Sequence, residues 1–192
     1  MNLDGFALPV KKLQGTDPVE TLDLSVKNLC VASAVVIASL IGVNGGLTSL
    51  DVRFNNFTGD GAVQLSAAVL GNFKIEMFNK ITIKEMRANS LTELDLKDKR
   101  FGLVGGMVVA GLIPIMGGLT VANLLGNQLD AESAMMLAEV AKQKGISLCG
   151  IQRDQTTADF RNKRLQPPDA ILLASDLSQA IVTGALTQVL AS

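Results

Sequence analysis

The stretch Leu91–Gly118, LTELDLKDKRFGLVGGMVVAGLIPIMGG, is one complete turn of a repeating coil. Leu91, Leu94 and Leu96 follow L-x-x-L-x-L, a spacing that puts alternate side chains of a short strand on one face. Phe101 closes the turn, and Gly105, Gly106, Val109, Ala110 and Ile113 then recur at helical spacing until Gly117 and Gly118 stop the helix. The unit is therefore strand, turn, helix, turn.

Moving the frame back, Leu47, Leu50, Val52, Asn55, Phe57, Gly61, Leu65 and Val69 fill the same places in the same order. One frame earlier, Val19, Leu22, Leu24, Leu29, Ile37 and Ile41 fill them again. Strand centres Leu22 and Leu50 lie 28 residues apart, as do Leu94 and Ala122. A repeated L-x-x-L-x-L-x-x-N at this period resembles the long, helix-containing leucine-rich repeat of the ribonuclease-inhibitor-like subfamily, and the resemblance covers nearly the whole chain. It implies an α/β solenoid, a horseshoe with parallel strands on its concave face and helices on its convex face. It implies no particular activity.

The expected organisation is one domain over residues 1–192, of about seven repeats, long enough to bury a continuous core. Leu8–Gln14 resembles Ile81–Arg87, and each segment leads into a strand. Gly45-Gly46-Leu47-Thr48 answers Gly117-Gly118-Leu119-Thr120 at an offset of 72, so pairs of long repeats plus a shorter one form a larger unit. Short repeats are expected near 73–90, with Ile75 at the strand centre, and near 146–158. The strand signals at 146–151 and 158–160 are closer than the dozen or so residues a parallel crossover needs. Residues 1–18 do not read as a conventional cap and the chain ends inside a strand signal, so both ends are expected to be open, as in a piece of a longer array.

Composition narrows the function classes. The formal net charge is −1 and no run of basic residues stands out, which speaks against nucleic acid as a partner. There is no histidine, so imidazole metal sites and histidine-based triads are excluded. The glycines form neither a P-loop nor a dinucleotide fingerprint, falling instead at turns and helix starts. Cys30 and Cys149 lie about five repeats apart, beyond the ~7 Å reach of a disulfide, and read as small buried apolar residues. Unpaired thiols and a start without a secretory signal fit an intracellular, cytoplasmic setting, with an organelle left open. Asn56-Phe57-Thr58 is a glycosylation sequon that reads there as turn chemistry. The charge-free runs Leu29–Leu50 and Phe101–Leu129 raise a transmembrane reading, but each contains a strand signature and glycines in phase with the repeat.

Two surfaces are candidates for contact. On the concave face the outward strand position is Asp23, Asp51, Glu76, Asp95, Asn123, Gly150 and Asp159 in turn, and two places on come Ser25, Arg53, Phe78, Lys97, Leu125, Gln152 and Arg161. An acidic column thus stands beside a partly basic one, with Arg53 and Phe54 as the expected anchors. The alternative is a solvated strand face with cross-strand ion pairs. Lys27, Asn55, Lys99, Asn127 and Lys163 occupy the repeat's asparagine place, where a structural role is expected. On the convex side the first outward helical position is Val35, Val63, Met107, Met135 and Ile171, an apolar stripe where a solvated helix would carry charge.

The expectation is a non-enzymatic, cofactor-free scaffold that binds protein partners within a larger assembly. The alternative is an accessory subunit of a membrane-associated complex without a span of its own. The family resemblance also brings in regulators of small GTPases, although no residue motif here supports that.

Overall fold

The computed structural model describes residues 1–191. Ser192, the last residue of the expected domain, lies outside them. A hairpin of β1 (Asn2–Leu3) and β2 (Phe6–Ala7) precedes a one-turn helix α1 (Val10–Gln14). Strands and helices then alternate: β3 (Thr21–Asp23), α2 (Val31–Ile41), β4 (Ser49–Asp51), α3 (Gly59–Gly71), β5 (Met77–Phe78), α4 (Ile83–Arg87) and β6 (Glu93–Asp95). The order continues α5 (Gly102–Leu112), a 3-10 turn (Ile113–Ile115), β7 (Val121–Asn123), α6 (Ala131–Lys144), β8 (Thr157–Asp159), α7 (Pro167–Leu177), α8 (Ala180–Thr183) and β9 (Gln188–Leu190).

Leu22 pairs with Leu50 and Leu50 with Phe78, all in parallel, so the 28-residue period is a true strand register. Leu94 pairs with Ala122, and Ala158 with Val189. Alternate residues of each strand turn inward, and Leu22, Leu50, Phe78, Leu94, Ala122 and Ala158 are all core residues. On the other side of this core the long helices pack in sequence, α2 on α3, α3 on α5, α5 on α6 and α6 on α7. Small residues permit the approach: a Cβ on Gly61 would come within 2.8 Å of the Val31 carbonyl, and one on Gly106 within 2.7 Å of Leu129.

The strands form separate sheets, β3-β4-β5, β6-β7 and β8-β9, rather than one continuous stack. The interruptions fall at the short repeats. From Phe78 to Leu94 the chain has 16 residues, and the only helix available is the single turn α4. Residues 147–149 touch β7 through two isolated bridges, Val121 to Ser147 and Asn123 to Cys149, and form no strand pair with β8. The first connection has one helical turn in place of a long helix, and the second is shorter than the dozen or so residues a parallel crossover needs; a new sheet starts after each.

The strand near 73–90 is centred on Phe78, three residues beyond the expected Ile75. Ile75 instead takes the place of Leu47, and both are fully buried. This shift removes two residues from the expected strand face. Phe78 is core, and Glu76 lies before the strand, where its carboxylate accepts from Lys84 Nζ at 2.9 Å.

The correspondence of Leu8–Gln14 with Ile81–Arg87 appears as the matching one-turn helices α1 and α4. Threonine marks the larger unit. Thr48, Thr120 and Thr187 each donate Oγ1 to a carbonyl of the preceding strand's lead-in, Glu20, Thr92 and Thr156, at 3.1 Å. Residues 1–7 lie on the first repeat: Leu3 and Phe6 pack against the core, while Asp4 accepts from Cys30 N at 2.8 Å and from Ser33 Oγ at the start of α2.

Candidate interaction surface

Strands β3, β4, β6, β7 and β8 hand over to their turns by the same device. The carboxylate of Asp23 accepts from Ser25 N at 2.8 Å, Asp51 from Arg53 N at 3.1 Å, Asp95 from Lys97 N at 3.1 Å, and Asp159 from Arg161 N at 2.9 Å. Asn123 accepts from Leu125 N at 3.4 Å in the same way. These are Asx turns, in which a short side chain replaces a backbone acceptor two residues back. The acidic column read from the sequence is therefore first a set of turn-forming residues, of which Asp51 and Asp159 turn their remaining oxygens to Arg53 and Arg161.

Beyond each Asx acceptor the backbone is held constant while the side chain varies: Ser25, Arg53, Lys97, Leu125 and Arg161. Arg161 returns to Asp159, Nη2 to Oδ2 at 2.8 Å, and its side-chain hydrogen bond holds the Asp159 carboxyl down to about 2. The Ser25 hydroxyl and amide likewise hold Asp23 below the ordinary carboxylate range. Arg53 is tied down more completely. Its Nε and Nη2 donate to both oxygens of Asp51, Nη1 reaches the Lys99 carbonyl at 3.1 Å, and the side chain is only 9% exposed. Arg53 is a fastening across the first sheet break rather than a free anchor.

Two grooves on this face lie at the breaks. One, between β7 and β8, is lined by Lys97, Asn123, Gly150, Gln155, Asp159 and Lys163. The other, before β6, brings together Lys80, Glu85, Glu93, Asp95 and Lys99. Cys149 borders the first, but burial and the neighbouring Asp176 push its thiol far up, so it is a poor nucleophile. Cys30 is half-buried rather than buried.

The asparagine place explains itself in three dimensions. Asn55 Oδ1 accepts from Lys27 N and Leu29 N of the preceding turn, while its Nδ2 donates to the Leu24 and Val52 carbonyls. Asn127 does the same for Arg100 N, Leu96 O and Leu124 O. One amide serves two adjacent turns, so the alternate position is released to carry an exposed lysine, Lys27 or Lys99. Sequence reading missed Asn44, Asn72 and Asn79, buried amides that bridge neighbouring repeats. It also missed Asp176, which accepts from Ser147 Oγ, Leu148 N and Cys149 N. Asn44 and Asn72 lie one 28-residue period apart, the signal that could have found them, whereas Asp176 stands inside α7 with Leu148 at that spacing and carries no such mark.

Residues 47–66 match the leucine-rich repeat family model. The match supports a leucine-rich repeat protein, and it falls on β4, its turn and the first half of α3, where the Asx turn and the asparagine bridge are both present. No curated protein matches the chain.

On the helix side the five expected outward positions divide. Val63 and Met135 are 52% and 56% exposed, and Val35 and Ile171 are half-buried. Met107 is a correction: it is 7% exposed, with its sulfur 3.8 Å from Ser66 Oγ. Because the short repeat supplies only α4, α3 and α5 pack directly on each other and close over Met107. No helix among the described residues is long and apolar enough to cross a membrane.

Proposed function

We propose that the chain is a non-catalytic protein-recognition module of the ribonuclease-inhibitor-like leucine-rich repeat kind, a shallow horseshoe whose concave strand face receives a protein partner. The observation that carries this reading is the constant Asx-turn frame after five of the parallel strands, with a variable side chain at one geometric position in each. A rigid frame with exchangeable display positions suits recognition of another surface, since side chains already held in place lose little freedom on binding. Lys97, Asp95 and the Asp159–Arg161 pair are the expected contacts. Two unpaired cysteines fit a reducing compartment, and we place the protein inside the cell.

The module would work within a larger assembly, with Val63 and Met135 on the helix side available as a second contact. Affinity capture from source cells with the native chain and with a Lys97→Glu, Arg161→Glu variant tests the concave-face reading. A protein retained by the first and lost by the second supports it, and identical captured sets overturn it. Light scattering of the purified chain with and without mild detergent tests the assembly. Oligomers that detergent dissolves indicate an apolar helix-side interface, and a stable monomer removes it.

A further inference from the structure

The net charge of −1 conceals a strong polarity. The six turns that follow strands, 25–28, 53–56, 79–82, 97–100, 125–128 and 161–164, hold nine of the seventeen Lys and Arg residues but only one, Asp98, of the eighteen acids. Those turns are far apart in sequence, and the fold lines them up. Val26 N donates to Arg53 O, Arg53 Nη1 to Lys99 O, Asn79 Nδ2 to Phe101 O, and Asp98 N to Leu125 O. Lys97 and Lys163 face one groove across the second break. The result is an edge along which Lys27, Lys80, Lys99, Arg100, Lys163 and Arg164 are all exposed, with the uncharged turn 125–128 between Arg100 and Lys163. Arg53 and Arg161 are already neutralised by Asp51 and Asp159.

Two apolar side chains interrupt the cations at one end of this edge. Val26 is 69% exposed and Phe54 46%, neighbours in adjacent turns. Both occupy the left-handed region, with φ of 54° and 58°. The equivalent turn positions further along are Asp98, Gly126 and Asn162, residue types that tolerate that conformation. A β-branched and an aromatic side chain there are strained, and strain retained at an exposed position points to use of the side chain. Phe54 also lines a groove with Phe57, Leu103 and Val104.

We infer that this edge binds an extended acidic peptide segment of a protein partner, one whose apolar residues sit on Val26 and Phe54 while its carboxylates run along the exposed lysines and arginines. The inference rests on the protein-recognition reading above and adds the partner's chemistry. Charge pattern favours a narrow peptide over nucleic acid. The acids Asp23, Asp51, Asp95 and Asp159 flank the cationic row two to four residues away, and a duplex broad enough to cover the row would also cover them.

The test uses the whole chain and fluorescence anisotropy with three labelled probes of equal length: a Glu-rich peptide containing two Phe, the same peptide with Gln for Glu, and a single-stranded RNA. Two variants separate contact from fold. Val26→Asn with Phe54→Asn adopts the side chain that Asn162 already places in this conformation, so thermal stability is retained or raised. Lys99→Glu with Arg100→Glu reverses charge at exposed positions. The expected result is salt-sensitive binding of the Glu/Phe peptide, weakened roughly tenfold or more by either variant, with little binding of the Gln peptide. RNA bound as tightly as the acidic peptide overturns the peptide assignment. Absence of binding to every probe, with native-partner capture still sensitive to Lys97→Glu and Arg161→Glu, overturns the edge proposal and leaves the recognition module standing. If capture is insensitive as well, the recognition reading itself falls.

Discussion

Arg53 Nη1 donates to the backbone carbonyl of Lys99 at 3.1 Å, joining two turns 46 residues apart across the break between the first two parallel sheets. Strand hydrogen bonds do not bridge that break. The side chain is the substitute, and its orientation is fixed by the bidentate pair with Asp51. Arg53→Lys keeps the charge but not the fork, so a loss of about 1–2 kcal/mol is expected in urea unfolding, with Arg53→Ala losing more. An effect within error would show that the break is held by the core and by Asn79 Nδ2 on the Phe101 carbonyl without Arg53.

Asn127 is fully buried and bonds both to its own turn and to the turn before it. Asn127→Ala leaves Arg100 N and the Leu124 carbonyl without partners and the Leu96 carbonyl with only the long bond from Lys99 N, with an expected cost of about 2–4 kcal/mol. Lys99→Asn, at the alternate place in the neighbouring turn, should change stability by less than about 0.5 kcal/mol, because the exposed lysine serves no backbone group. Equal effects of the two substitutions would contradict the one-amide, two-turn arrangement.

Asp176 is buried, and burial raises its carboxyl above the ordinary value despite three neutral donors that favour the charged form. The thiol facing it, Cys149, is raised too, so it stays neutral beside the carboxyl. A folded pKa above the unfolded one means that the folded state holds the proton longer. The stability difference between the native chain and Asp176→Asn should therefore be largest at acid pH and shrink as pH rises above 3.8. Asp159, held down to about 2, works in the opposite sense, its contribution fading as pH falls from 3.8 towards 2. Melting temperatures of the native chain and both Asn variants across this range separate the two, and a native advantage at position 176 that grows with pH would be the wrong sign.

The helix side gives a direct contrast. Met107→Glu places a carboxylate between α3 and α5 and should cost more than about 3 kcal/mol or abolish folding. Val63→Glu and Met135→Glu, at exposed positions, should remain within about 0.5 kcal/mol of the native chain in chemical denaturation. Tolerance of glutamate at 107 would place that side chain outside the core after all.

The sequence by itself determined the 28-residue register, the inward leucines of β3, β4 and β6, and the matching short helices α1 and α4. Each of these depends on spacing along one chain, and spacing is what a sequence records. The tertiary structure decided what depends on neighbours. Phe78 rather than Ile75 centres its strand because β5 must pair with Leu50, and both residues are apolar, so pattern alone could not choose. Met107 is enclosed because a one-turn helix cannot hold α3 and α5 apart. The aspartates read as a charged column are turn acceptors, since the turn brings the amide two residues on within hydrogen-bond reach of each. The cationic edge exists only after stacking, which brings lysines and arginines from turns 18 to 36 residues apart into one row while the chain as a whole stays near neutrality.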